Sequence, residues 1–334
     1  MTRIGLLGCG SWGTTLAQIL AKKGETVNAW HYRKDFVEAI RFSRVNPLIP
    51  DINLDEKISF HYNINDVLNG SEILILSVPS SAMRETLEKI SNNIHPEIKI
   101  VNTSKGFELN TLMSMSEIIL ETLNINDDQI ITFYGPSHSE EVIKNLPTAM
   151  VSACANENHS KIIQNLFSTE NLRIYTSKDM RGVEIGGSLK NVIAIASGIC
   201  HGIGYGDNAN AALITRGLHE ITKLGIAMGA KEQTFYGLSG IGDLIATCLS
   251  THSRNRHVGD EISKGKSLEE IISSMGMVAE GVNTTKVVHE LSKKHNIEMP
   301  ISNSVYEVLF KRRDPKVSVK DLMIRRLKKE RLQE

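Results

Sequence analysis

Apolar residues in the first half of the chain fall into short, near-continuous runs at 4–7, 26–30, 57–61, 72–78, 99–103, 129–134, 148–153 and 172–175. Segments of helix length separate them. β-branched runs alternating with helices predict a parallel sheet buried on both faces. Pro79 closes the fourth run and Gly135-Pro136 the sixth. In an open α/β sheet the carboxyl ends of the strands are where ligands sit, so these turns matter more than the strands. Beyond about residue 180 the period changes. Helices are predicted at 184–199, 210–228, 240–249, 258–264, 268–275, 284–295, 301–310 and 319–334. In the second of these, Ile214, Leu218, Ile221 and Leu224 recur at steps of three and four and make an apolar face. The fold class expected is α/β, a doubly wound parallel sheet over residues 1–182 followed by an all-α domain over 183–334. No Gly/Ser- or Pro-rich linker joins the halves, which predicts packed domains.

Composition narrows the class. The chain has 334 residues, with 41% hydrophobic and 23% charged, as in an ordinary globular protein. Its 38 basic and 38 acidic residues cancel, which argues against nucleic acid as a main ligand. Met1-Thr2-Arg3 runs straight into the first strand, leaving no room for a signal peptide. No apolar run is read as approaching the roughly twenty residues that span a bilayer. Cys9, Cys154, Cys200 and Cys248 form no Cys-x-x-Cys pair and read as free thiols in a reducing compartment. The expectation is a cytoplasmic protein. The eleven histidines form no metal-ligand pattern, so no metal site is expected.

Ile4 to Gly13 reads I-G-L-L-G-C-G-S-W-G, a strand feeding a Gly-x-Gly-x-x-Gly turn into a helix. That is the dinucleotide-binding arrangement of a Rossmann-type domain, although an ordinary βα turn can carry the same pattern. In the first reading Gly8 permits the tight turn and Gly10 lets the backbone approach a pyrophosphate. Gly13 lets the helix pack on the strand, and the helix N-terminus faces the negative charge. An acid about twenty residues on would hold a ribose 2′-hydroxyl. Here that count arrives at Tyr32-Arg33-Lys34, which suits a 2′-phosphate and favours NADP over NAD, while Asp35 keeps NAD open. Cys9 lies inside the loop, so its oxidation is expected to interfere with the cofactor.

Four polar clusters follow. Lys105, in Ser104-Lys105-Gly106 after the fifth strand, is placed to meet an anion or is a surface lysine. Gly135-Pro136-Ser137-His138-Ser139 either donates to a ligand or lets Ser137 or Ser139 cap the next helix. Gly186-Gly187 opens an apolar helix at about 1 kcal/mol per glycine, so something should approach its backbone closely. Lys190 and Asn191 sit in the otherwise apolar stretch to Ile199, and a lysine there is either buried beside a partner or aimed into a cleft. Asp243 closes Gly240-Ile241-Gly242 as a helix cap or a site wall, and Ser253-Arg254-Asn255-Arg256 concentrates anion donors. The basic tail 320–334 reads as a solvated helix face.

In this order and approximate spacing, the motifs resemble those of the bacterial-type NAD(P)-dependent glycerol-3-phosphate dehydrogenases. Thr215-Arg216-Gly217 and Val278-Ala279-Glu280-Gly281 extend the resemblance over nearly the whole chain. It implies interconversion of sn-glycerol 3-phosphate and dihydroxyacetone phosphate, chiefly to supply phospholipid synthesis. It implies cofactor contacts at Gly8, Gly10, Ser11, Trp12, Gly13, Tyr32, Arg33, Lys105, Ser139, Arg254, Val278 and Glu280. Substrate positions are implied at Lys105, Gly135, Ser137, Lys190, Asp243, Ser253, Arg254 and Asn255, with Lys190 transferring the proton. The family often has alanine at the place of Ser139 and threonine at that of Ser137; neither change removes a needed donor. Rival readings are a β-hydroxyacid dehydrogenase, a ketopantoate reductase or a non-catalytic NADPH sensor. The expected partners are a small-molecule substrate and a second copy of the chain in a homodimer.

Overall fold

A computed structural model describes residues 2–276, 278–327 and 329–330. Eight strands form one sheet: β1 (Arg3–Leu7), β2 (Thr26–Trp30), β3 (Ile58–His61), β4 (Ile73–Leu76), β5 (Lys99–Asn102), β6 (Ile130–Tyr134), β7 (Thr148–Ala153) and β8 (Leu172–Ser177). They are ordered β3-β2-β1-β4-β5-β6-β7-β8. Successive residues of a strand point to opposite faces, and the apolar runs fill both. Ile4, Leu6, Ile73 and Ile75 enter one core, while Leu7, Leu74 and Leu76 enter the other. Helices α1 (Ser11–Lys22), α2 (Lys34–Ser43), α3 (Asn65–Leu68) and α4 (Met83–Glu88) lie among the first strands. α5 (Met115–Thr122), α6 (Ser139–Val142) and α7 (Glu157–Phe167) follow.

The doubly wound expectation holds with one correction. β6 and β7 pair antiparallel, so β7 and β8 run against the first six strands. Only the four-residue α6 lies between β6 and β7. A parallel return needs a full crossover, usually a helix that packs across the sheet; this short connection lets the chain double back instead.

The second half is helical: α8 (Met180–Ile203), α9 (Asp207–Ala227), α10 (Asp243–Leu249), α11 (Arg254–Ser263), α12 (Leu268–Ser274), α13 (Glu280–Lys294), α14 (Pro300–Lys311) and α15 (Pro315–Met323). Asp179 caps α8, accepting from the Gly182 amide at 3.0 Å. α8 is the axis of this half: α9, α10, α11, α13 and α14 all pack on it, and it is buried from Gly182 to Cys200. Against the expectation from sequence, α8 is long and apolar enough to cross a membrane by length and composition, but its apolar window is wholly buried in protein. The helix predicted over 319–334 stops at Met323. Beyond it Ile324 and Leu327 are largely exposed, so neither packs on the helical half to hold a further turn. Residues 331–334 of that prediction lie outside the described residues.

Candidate active site

The glycine loop is shaped by sterics. Gly8 has φ +107°, and a Cβ there would stand 2.4 Å from the Ser77 carbonyl oxygen. A Cβ on Gly13 would stand 2.0 Å from the Gly8 carbonyl oxygen. A Cβ on Gly10, by contrast, meets nothing within 4 Å. The two outer glycines therefore serve the fold, while the middle one borders open space. α1 begins directly beyond it with Ser11 and Trp12, and has neither a side-chain cap nor an acid in its first turn. Its leading amides are left for an anion, so the cradle fits a dinucleotide pyrophosphate. Cys9 is buried, its thiol donates to the Trp30 carbonyl at 3.2 Å, and burial pushes the thiol pKa up. That opposes thiolate chemistry at this position.

At the end of β2, Tyr32 is exposed and stacks on His31, with ring centroids 4.7 Å apart. The exposed Arg33 guanidinium is paired with the Asp35 carboxylate. Arg33, expected to favour NADP, and Asp35, expected to keep NAD open, are thus each other's partner.

The turns after β5 and β6 meet helices α8 and α10 at one carboxylate. Lys105 Nζ donates to Asp243 Oδ2 at 2.8 Å and to the Gly135 carbonyl at 3.0 Å. Lys190 Nζ donates to Asp243 Oδ1 and to Thr247 Oγ1, the latter at 2.8 Å. Lys190 and Asp243 are both buried. Burial lowers the Lys190 pKa and the Lys105 charge lowers it further, while Asp243 opposes them; the outcome is about 7. Burial pushes the Asp243 carboxyl up, but the two ammonium groups outweigh it and hold it below the ordinary range. Lys190 is therefore not a solvated lysine of the helix surface, and Gly186-Gly187 belongs to the same arrangement. A Cβ on Gly186 would lie 2.7 Å from the Ser239 carbonyl oxygen, so the turn leading to Asp243 packs directly on α8.

Beside Lys190, Asn191 accepts from Asn255 Nδ2 at 2.9 Å, and Asn255 Oδ1 accepts from the Gly281 amide at 2.9 Å. Ser253 caps α11 by accepting from the Arg256 amide at 3.2 Å. Arg254 reaches the Val278 carbonyl at 2.8 Å. The half-buried Glu280 carboxylate accepts from both the amide and the hydroxyl of Ser80, just past β4. In the β6 turn Ser137 donates to the Gly135 carbonyl at 3.0 Å and Ser139 to Glu140 at 3.1 Å. Neither serine caps α6. His138 holds that position without a side-chain cap, because Ser139 is already the first helical residue.

Thr247, Asn191 and Ser80 were missed as site residues. Thr247 had a signal: it lies one turn after Asp243 on α10, on the same face. Asn191 is adjacent to Lys190. Ser80 had only its place after the Pro79 turn.

The NAD-dependent glycerol-3-phosphate dehydrogenase family matches this chain by its N-terminus over residues 3–160 and by its C-terminus over residues 179–320. The chain belongs to this family. A glycerol-3-phosphate dehydrogenase (NAD(P)+) of Salinibacter ruber is 47% identical over 331 residues, 98% of this chain and 96% of that protein. The crystal structure of glycerol-3-phosphate dehydrogenase from Coxiella burnetii superposes with TM-score 0.92 at 36% identity, covering 96% of this chain and 98% of that one. A ketopantoate reductase from Ralstonia eutropha shares the fold alone, at TM-score 0.60 and 12% identity. The glycerol-3-phosphate dehydrogenase resemblance is borne out, and the ketopantoate alternative is not favoured.

Proposed function

We propose that this chain interconverts sn-glycerol 3-phosphate and dihydroxyacetone phosphate, with Lys190 moving the proton on the reacting oxygen. Membership of the glycerol-3-phosphate dehydrogenase family supports the reaction. The observation that carries the assignment of Lys190 is its burial on Asp243 and Thr247 with a pKa near 7. A group that must give and take a proton works best when its pKa lies near the working pH. The nicotinamide cofactor supplies the hydride when bound; the chain supplies the rest. Asp243 orients Lys190 and holds Lys105 beside it. With both lysines charged the triad carries a net positive charge, which favours developing charge on a substrate oxygen. Asn255, braced by Asn191 and Gly281, together with Ser253 and Arg254 at the start of α11, forms the wall that takes the phosphate.

Gly10 and the first turn of α1, with Ser11 and Trp12, would hold the cofactor pyrophosphate. Tyr32 and Arg33 would meet the 2′ position of its adenosine ribose, which favours NADP. Ser139, Val278 and Glu280 complete the cofactor side, and Gly135 and Ser137 the substrate side. Residues 1–182 and 183–334 are the working division into cofactor and substrate domains. A cytoplasmic site, a homodimer and a role in supplying phospholipid synthesis go with this reading.

The test is steady-state oxidation of NADPH in the presence of dihydroxyacetone phosphate. Lys190→Ala should lower kcat by about 10²–10⁴-fold while leaving cofactor affinity largely intact. Near-normal turnover would remove Lys190 from the chemistry. Failure of the wild type to turn over would remove the reaction itself.

A further inference from the structure

We propose that Tyr134, the last residue of β6, is a positioning residue for Lys105 and acts through it on Lys190. This rests on the reading of Lys190 given above.

Tyr134 is fully buried, and a buried phenol needs partners for its hydroxyl. It donates to the Ser104 carbonyl, the peptide group joined directly to Lys105, and accepts from Asn102 Nδ2 at 3.1 Å. Asn102 Oδ1 in turn accepts from the Ser104 amide at 3.0 Å. Both backbone polar groups of Ser104 are thus held by side chains of the sheet. The Ser104 hydroxyl is spent on the Val78 carbonyl at 2.6 Å. The turn that presents Lys105 is clamped on its N-terminal side, with Tyr134 closing the clamp.

The same group of residues reaches α8. Asn102 Nδ2 also donates to Glu184 Oε1 at 3.3 Å, and Glu184 accepts from the Ser116 amide at 2.9 Å. Glu184 and Lys190 ride on one helix, and Gly187 lies between them. A Cβ on Gly187 would stand 2.6 Å from Tyr134 Cδ2, so the tyrosine ring occupies the notch that this glycine leaves. Over the ring, 5.5 Å from its centroid, stands the Lys105 ammonium. Tyr134 therefore touches both the backbone that carries Lys105 and the helix that carries Lys190. Burial raises its pKa well above the usual phenol value, so it stays a fixed donor throughout any assay range.

The chemical consequence runs through Asp243. Lys105 holds one carboxylate oxygen and Lys190 the other. Lys105 also lowers the Lys190 pKa directly. If Lys105 draws back, Asp243 is left to Lys190 alone and the protonated form of Lys190 gains.

The experiment is the pH dependence of kcat for glycerol 3-phosphate oxidation in wild type, Tyr134→Phe, Lys105→Met and the double variant, with thermal melting recorded on each. Tyr134→Phe keeps the ring in its notch and removes only the hydroxyl. Expected are a fall in kcat of about tenfold, below the roughly hundredfold that a 1 Å displacement can cost, and an upward move of the ascending limb by about half a unit or more. In the Lys105→Met background the substitution should add nothing. A lowered melting temperature with an unmoved limb and unchanged kcat would mean a structural tyrosine and overturn the proposal. So would a full, additive effect in the Lys105→Met background. If Tyr134→Phe does not fold, Gly187→Ala, which presses a methyl on the ring and spares the hydroxyl, is read by the same profile; an unmoved limb there overturns the proposal as well. Wild type without turnover overturns the underlying reaction too, whereas a wild-type limb near pH 7 that Tyr134→Phe fails to move overturns the positioning role alone.

Discussion

The glycine loop and the lysine–aspartate centre are built in opposite ways. The loop is six consecutive residues whose shape follows from where a Cβ has room. Gly8 and Gly13 lack that room because of neighbouring backbone, and Gly10 has space above it. The centre draws Lys105, Lys190 and Asp243 from three distant segments, and each is harmless or costly alone. A buried lysine is costly without partners; here one carboxylate holds the buried Lys190 and the half-buried Lys105, and the mismatch that burial leaves is what brings Lys190 to about 7. In the proposed function the loop is a steric object that binds, and the centre an electrostatic one that reacts.

The largest effect that would test this contrast is the loss of turnover in Lys190→Ala with the cofactor still bound, read by kinetics and by cofactor titration. Equal losses of both would break the division of labour. Next, Gly13→Ala should cost about 1–3 kcal/mol of stability by overpacking, measured by denaturant unfolding, and weaken cofactor binding with it. Gly10→Ala is the counterpart. It should leave stability within about 0.5 kcal/mol yet raise the cofactor KM, because its methyl enters only the space meant for ligand. A stability loss like that of Gly13→Ala would erase the distinction between the glycines.

The electrostatic half predicts a pH signature. Burial lowers the pKa of Lys190, so its neutral form is reached near pH 7 instead of at the ordinary lysine value. As the base in glycerol 3-phosphate oxidation it should make that rate rise with pH through about 7. As the acid in dihydroxyacetone phosphate reduction it should make that rate fall through the same range. Rates flat from pH 6 to 9 in both directions would detach Lys190 from proton transfer. The smallest effect concerns the cofactor choice. Arg33 is paired with Asp35, an exposed pair of the kind worth about 0.2–1 kcal/mol. Asp35→Asn should therefore lower the KM for NADPH by at most about fivefold, and Arg33→Asp should move preference toward NADH. If neither moves the NADPH/NADH ratio, the 2′-phosphate role of Arg33 is wrong.

Much of this was legible along the chain, and the parts that were not share a cause. All eight strands stand where the apolar runs lie, since a strand buried on both faces must be apolar throughout. Their direction was less legible: the antiparallel step from β6 to β7 depends on how far a short connection can carry the chain. Lys105, Lys190 and Asp243 each stood out by residue type and position. That one carboxylate binds both lysines did not, because more than fifty residues separate Lys190 from Asp243. Thr247 could be found only after Asp243 was, and Ser80 only after Glu280 was seen to reach across from the helical half.

By itself, the sequence determined the alternation of strands and helices, the switch to an all-helical half, and the place of the glycine turn. These depend on side-chain period and local sterics, which act over a few residues. Tertiary structure alone decided that Lys190 is buried, that Lys105 shares its counter-ion, and that Tyr134 stands beneath Lys105 and against Gly187 of α8. Desolvation and charge pairing are set by whatever lies nearby in space, and chain order does not state that distance.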